Sequence, residues 1–191
     1  MSPNKWGPPV WTLFHTLAEK ITDIGYQHVG KQLFYHIYRI CNSLPCPDCA
    51  YHASRFLAKV NSSKLRTKTD LKNLLYIFHN VVNAKKHKPQ FHTNTLEVYK
   101  NKNLNFVYNN FVQAYNTRGN MKLLTESFQR QIVLGEFKKW FFTNYYFFIE
   151  RRETPVPIAV KLQSETTDDS IQDETKTTID NLENQTIEQT N

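Results

Sequence analysis

Residues 33–60 read LFYHIYRICNSLPCPDCAYHASRFLAKV, and two features of this stretch decide what kind of fold can hold it. Up to Cys41 the apolar side chains recur at helical spacing, at Leu33, Phe34, Ile37, Tyr38 and Cys41, which predicts a helix and not a strand. Cys46-Pro47-Asp48-Cys49 follows, with Pro47 suited to a first helical position and Cys46 at the helix entrance. Unpaired N–H groups and the helix dipole favour a thiolate there. Taken alone, a C-x-x-C pair fits redox chemistry, a zinc site or a structural staple. A thioredoxin-like scaffold needs a strand before the motif and a βαβ unit around it, and the flanking residues predict neither. A zinc site would borrow His52 and draw a fourth ligand from His79, His87 or His92. The remaining cysteine, Cys41, lies in an apolar helix and reads as a small buried side chain. Three closely grouped cysteines do not make a secreted disulfide framework.

Working outward, the same periodicity predicts four helices at roughly 8–24, 27–43, 47–60 and 69–87, separated by segments rich in Asn, Ser, Pro and Lys. Strands and helices do not alternate, so the expected architecture is an all-α four-helix bundle. A short helix is expected over 96–101. Residues 106–115 and 123–148 read as an aromatic-rich helical extension. The expected division is a domain over 1–105, an extension of open role over 106–152 and a disordered acidic tail over 153–191. The tail holds nine acidic residues and two lysines, while the rest carries 22 basic against eight acidic residues, so a +14 body precedes a −7 tail. Such a tail buries too little apolar area to offset chain entropy. The longest apolar run, Trp140–Ile149, is too short to span a bilayer and is bracketed by lysines and arginines. The chain is expected to be soluble and unprocessed, with no membrane span. Its basic residues are scattered among apolar helical positions and form no dense block, so they read as a solvated face with some lysines serving an anionic cofactor, and no nucleic-acid partner is expected.

Three segments together resemble the Erv/ALR sulfhydryl oxidases: WGPPVWTLFHTLA at Trp6–Ala18, LPCPDCAYHA at Leu44–Ala53 and FHNVVNAKKHKPQF at Phe78–Phe91. The opening WGPPVW and the Leu44-Pro45-Cys46 approach are similar to the versions carried by large cytoplasmic DNA viruses. The resemblance implies an FAD-dependent thiol oxidase with Cys46 and Cys49 as the catalytic disulfide. It implies a cofactor set of Trp11, His15, His79, Asn80, Asn83 and Lys88, with Gly7 and His52 beside them, and no metal. Trp11 and His15 are one helical turn apart, as are His79 and Asn83, so two aromatic and polar faces are expected to meet around a flat ring. The implied partners are a thiol-containing protein substrate, thioredoxin-like or another dithiol protein, O2 as acceptor giving H2O2, and a second copy in a homodimer. The implied location is the host cytoplasm or virion if viral, and otherwise an intracellular compartment.

Two departures from the family pattern stand out. The positions of a second disulfide common in the family are Tyr76 and Thr93, so packing by the aromatic extension is expected to replace that brace. No distal C-x-x-C follows to shuttle electrons, so a separate thiol protein must reach Cys46, the sulfur expected to be the more accessible of the pair. A zinc-stabilised interaction module and a basic nucleic-acid-binding protein remain as alternatives.

Overall fold

A computed structural model describes residues 2–116 and 124–149. Six α-helices run through them: α1 (Pro3–Lys20), α2 (Asp23–Asn42), α3 (Pro47–Leu57), α4 (Lys68–Lys85), α5 (Leu104–Tyr115) and α6 (Leu124–Thr143). Short 3-10 segments lie at Ser62–Lys64, Thr93–Tyr99 and Tyr145–Phe148. There is no strand among the described residues, so the fold is all-α as expected. Residues Met1–Arg152 form one unit, and the expected disordered tail, 153–191, lies outside the described residues.

Each helix start has a local cause. Ser2 caps α1, accepting from the Asn4 N–H, so the helix begins five residues before its expected start and carries Pro8 and Pro9 inside it. Gly7 precedes Pro8 and lacks the Cβ that a proline ring would push out of helical geometry. Thr22 Oγ1 accepts from the Gly25 N–H at 2.9 Å and opens α2 four residues earlier than the apolar spacing indicated. Gly25 is required by a close approach, because a Cβ there would lie 2.7 Å from Phe147 Cβ. At α4, Thr67 and Asp70 form a reciprocal capping box.

One apolar core joins all these helices. Leu13, Phe14 and Leu17 of α1 and Leu33, Ile37 and Ile40 of α2 share it with Leu71 and Leu75 of α4 and with Phe111 and Phe137 of the extension. Helix α5 lies along α1, while α3 and α6 both pack against α2. Tyr115 is fully buried, and its hydroxyl donates to the Ile40 carbonyl at 2.9 Å. On the α2–α6 seam, Trp140 Nε1 donates to Gln32 Oε1 at 2.7 Å and Arg39 pairs with Glu136 at 2.8 Å. The extension is therefore part of the packed core and not an appendage to it. No helix among the described residues is long and apolar enough to cross a membrane.

Candidate active site

Cys46 is the N-cap of α3 and is joined to Cys49 in a disulfide, with Cα atoms 5.2 Å apart. The Cys49 N–H donates to Cys46 Sγ at 3.2 Å, so the first turn of α3 directs an orphan donor at sulfur. Both cysteines are half-buried, and burial class does not separate them as expected. Cys41 is 1 % exposed, and burial pushes its thiol pKa up, which keeps it protonated and inert.

An aromatic shelf lies between α1, α4 and the segment after α4. Trp11 stacks on His79 with centroids 4.1 Å apart and planes 7° apart. His15 Nε2 and His79 Nδ1 share a hydrogen bond at 3.0 Å, and Phe91 and Tyr99 continue the stack against His15 at 5.8 and 5.0 Å. The two expected faces do meet, but in direct contact: a 4.1 Å stack leaves no room for a ring between Trp11 and His79. A flat ligand must lie against the shelf and not inside it. Burial holds both imidazoles neutral. The His15 pKa falls to about 3 through desolvation and the neighbouring His79, and that of His79 falls to about 4 through desolvation and the Lys88 charge.

The two asparagines of the expected set shape this shelf. Asn80 Nδ2 donates to the Phe91 carbonyl at 3.0 Å, and the Phe91 N–H donates to Asn80 Oδ1 at 2.7 Å. Both ends of the amide therefore pair with one backbone residue, a positioning contact that clamps Phe91 to α4. Asn83 Nδ2 donates to the Pro89 carbonyl at 3.2 Å, while the Asn83 carbonyl accepts from the Lys88 N–H at 2.9 Å. That turn passes through His87 at φ 52°, a left-handed conformation, and it swings Lys88 back over α1, with Nζ 3.5 Å from Asn4 Oδ1. Among the described residues Lys86 and Lys88 have no carboxylate partner, and the Lys88 charge lowers the pKa of Lys86 after desolvation has done so. A Cβ on Gly7 would meet nothing within 4 Å. Trp6 Nε1 is buried without a hydrogen-bond partner among the described residues.

His52 stands apart from the shelf. It is exposed, and Lys85 Nζ lies 2.6 Å from its Nε2. Cys46 and Cys49 share a disulfide, His79 bonds His15 and His52 meets Lys85. Among the described residues no group of three or more His, Cys, Asp or Glu is placed to hold a metal.

A model of the Erv1/Alr family matches residues 8–103, half of the chain. The chain belongs to the Erv1/Alr family. It is 31% identical over 83 residues to the FAD-linked sulfhydryl oxidase of African swine fever virus, covering 44% of this chain and 69% of that protein. To the probable FAD-linked sulfhydryl oxidase of fowlpox virus it is 30% identical over 78 residues, 41% of this chain and 73% of the relative. To that of vaccinia virus it is 28% identical over 92 residues, 48% and 90% respectively. No solved structure matches the chain.

Within this family frame, sequence reasoning missed Phe91, Tyr99 and Lys86. Phe91 and Lys86 lay inside a quoted motif, so proximity to His79 and Lys88 was the available signal. Tyr99 had none, because its contact with His15 depends on the return of the chain after Pro89. The aromatic contact between α3 and the shelf was not legible either. Phe56 of α3 stacks on Phe78 at 4.6 Å, and Phe78 meets Trp11 edge-on at 5.1 Å.

Proposed function

We propose that this Erv1/Alr chain is an FAD-linked thiol oxidase that forms disulfides in protein substrates. One observation carries the reading: a disulfide at the N-terminus of α3, the same helix whose Phe56 stacks on Phe78 beside Trp11 of the aromatic shelf, with Lys86 and Lys88 free of carboxylate partners among the described residues. That donor set suits a flat ligand with an anionic bridge. Trp11, His15, His79 and Phe91 would hold its ring and Lys86 and Lys88 its pyrophosphate, while Gly7 leaves the approach open and Asn80 and Asn83 set the shelf. FAD held there would supply the two-electron link between the reduced cysteine pair and O2, with H2O2 as the product.

The protein's own chemistry is thiol–disulfide exchange. A substrate thiolate attacks Cys46 Sγ; the Cys46–Cys49 bond breaks and Cys49 leaves as a thiolate. The second substrate thiolate attacks the substrate sulfur of the mixed disulfide and releases Cys46. The substrate gains one disulfide and loses two electrons and two protons, and the enzyme pair takes up the two electrons as thiolates. The first turn of α3 lowers the cost of both thiolates, and the Cys49 N–H already points at Cys46 Sγ.

The substrate is a dithiol protein, thioredoxin-like or similar, and the enzyme works as a homodimer through the α2 face carrying Phe34, Tyr35 and Tyr38. Relatives encoded by poxviruses and African swine fever virus support a viral protein of the host cytoplasm or virion. Residues 1–105 hold the chemistry, 106–152 brace it and 153–191 are dispensable for turnover. Cysteine replacement tests the reading through oxygen consumption with a dithiol. Cys46→Ser and Cys49→Ser abolish turnover while keeping FAD, and Cys41→Ser keeps most of it. Full activity in either of the first two variants refutes the mechanism.

A further inference from the structure

A cleft of about 240 Å3 opens beside Cys46. Its near wall carries Leu44 and Pro45 before the cysteine and Pro47 and Ala50 after it, with Asn42 and Ser43 at one end. Pro45 and Pro47, the covalent neighbours of Cys46, both line the cleft, although Cys46 itself does not. The far wall is Glu126 and Gln129 of α6, a helix outside the family-matched residues 8–103. Glu126 is exposed and Arg130, which also lines the cleft and feels the Glu126 charge, is 3 % exposed, so the Glu126 carboxylate is the exposed charge of the lining. A second exposed carboxylate, Asp48, stands in the first turn of α3.

We infer that this cleft seats the polypeptide flanking the attacking cysteine, and that α6 selects substrates with a lysine or arginine near that cysteine. The inference rests on the thiol-oxidase reading and names the substrate class of the same site. The near wall offers apolar surface with no N–H at either proline, which suits side-chain packing. Gln129 offers an amide to the substrate backbone, and Glu126 opposes a basic side chain. A small dithiol such as dithiothreitol reaches Cys46 without touching α6, so it separates docking from chemistry.

Two dithiol peptides, identical except for Lys or Glu beside the cysteines, test this against the FAD-loaded full chain, with dithiothreitol as reference. Wild type should prefer the Lys peptide in kcat/KM by about three- to fivefold, the range of a partly exposed charge pair. Glu126→Lys should reverse that order. Gln129→Trp, which fills the cleft from its far wall, should raise KM for the Lys peptide relative to dithiothreitol, with kcat changed less. The flavin spectrum of each variant reports folding. The same peptide ratio in wild type and Glu126→Lys, or equal losses on peptide and dithiothreitol in Gln129→Trp, overturns the docking inference. A wild type that oxidises neither peptide nor dithiothreitol overturns the thiol-oxidase reading as well.

Discussion

Asn80 reaches Phe91 with both ends of its amide, and that pair fixes one side of the aromatic shelf. Asn80→Ala leaves a part-buried N–H and carbonyl without partners, which costs about 1–3 kcal/mol, and it frees the Phe91 ring from His15 and His79. Thermal melts should fall, and FAD should dissociate faster on dilution; unchanged values in both would show that the clamp carries nothing. The two imidazoles make a second residue-scale prediction. Their folded pKa values, about 3 for His15 and about 4 for His79, lie below the ordinary 6.5. The unfolded chain therefore binds more protons across that interval, so this contribution to stability is complete above pH 6.5 and declines as pH falls towards 3. Melting temperature should drop between pH 6.5 and 5, above the range where carboxylates titrate, and His15→Gln should flatten that slope. A wild-type curve as flat as the variant's would contradict the assigned protonation.

At the scale of elements, α6 holds its place through Phe137, which is fully buried against His36, Tyr108, Phe111, Trp140 and Phe141. Phe137→Ala should cost about 3–5 kcal/mol, measured by denaturant unfolding. A loss below about 1 kcal/mol would mean the extension packs too loosely to brace the bundle. This packing is also where legibility from sequence ended. The four bundle helices were readable because Leu33, Ile37 and Ile40, or Leu71, Leu75 and Phe78, mark one buried face. Helix α6 has apolar residues all round: Val133, Leu134, Phe137 and Phe141 are buried while Leu124, Phe128 and Phe142 are exposed, so periodicity named a helix without naming its face. Helix starts were misjudged for a related reason. Ser2 and Thr22 act through cap hydrogen bonds that apolar spacing does not register, and α1 continues through Pro8 and Pro9. In the site, the cysteine pair and the Trp11, His15 and His79 shelf were legible from motif spacing. The clamping role of Asn80 and the contribution of Tyr99 were not, because both depend on how the chain returns after Pro89.

For the whole molecule, the homodimer should appear in sedimentation as twice the chain mass at micromolar concentration, and Tyr35→Glu on the exposed α2 face should shift it towards monomer. A wild-type monomer at high concentration would remove the dimer from the proposal without touching the redox chemistry. The central claim is that one chain couples thiol oxidation to a bound flavin, and the visible spectrum of the purified full-length protein tests it most directly. Protein that is yellow as isolated should bleach when a dithiol is added without oxygen and regain its colour on admitting air, with one H2O2 formed per disulfide. Folded protein that stays colourless with added FAD, or a bound flavin that the dithiol leaves unbleached, would contradict the account.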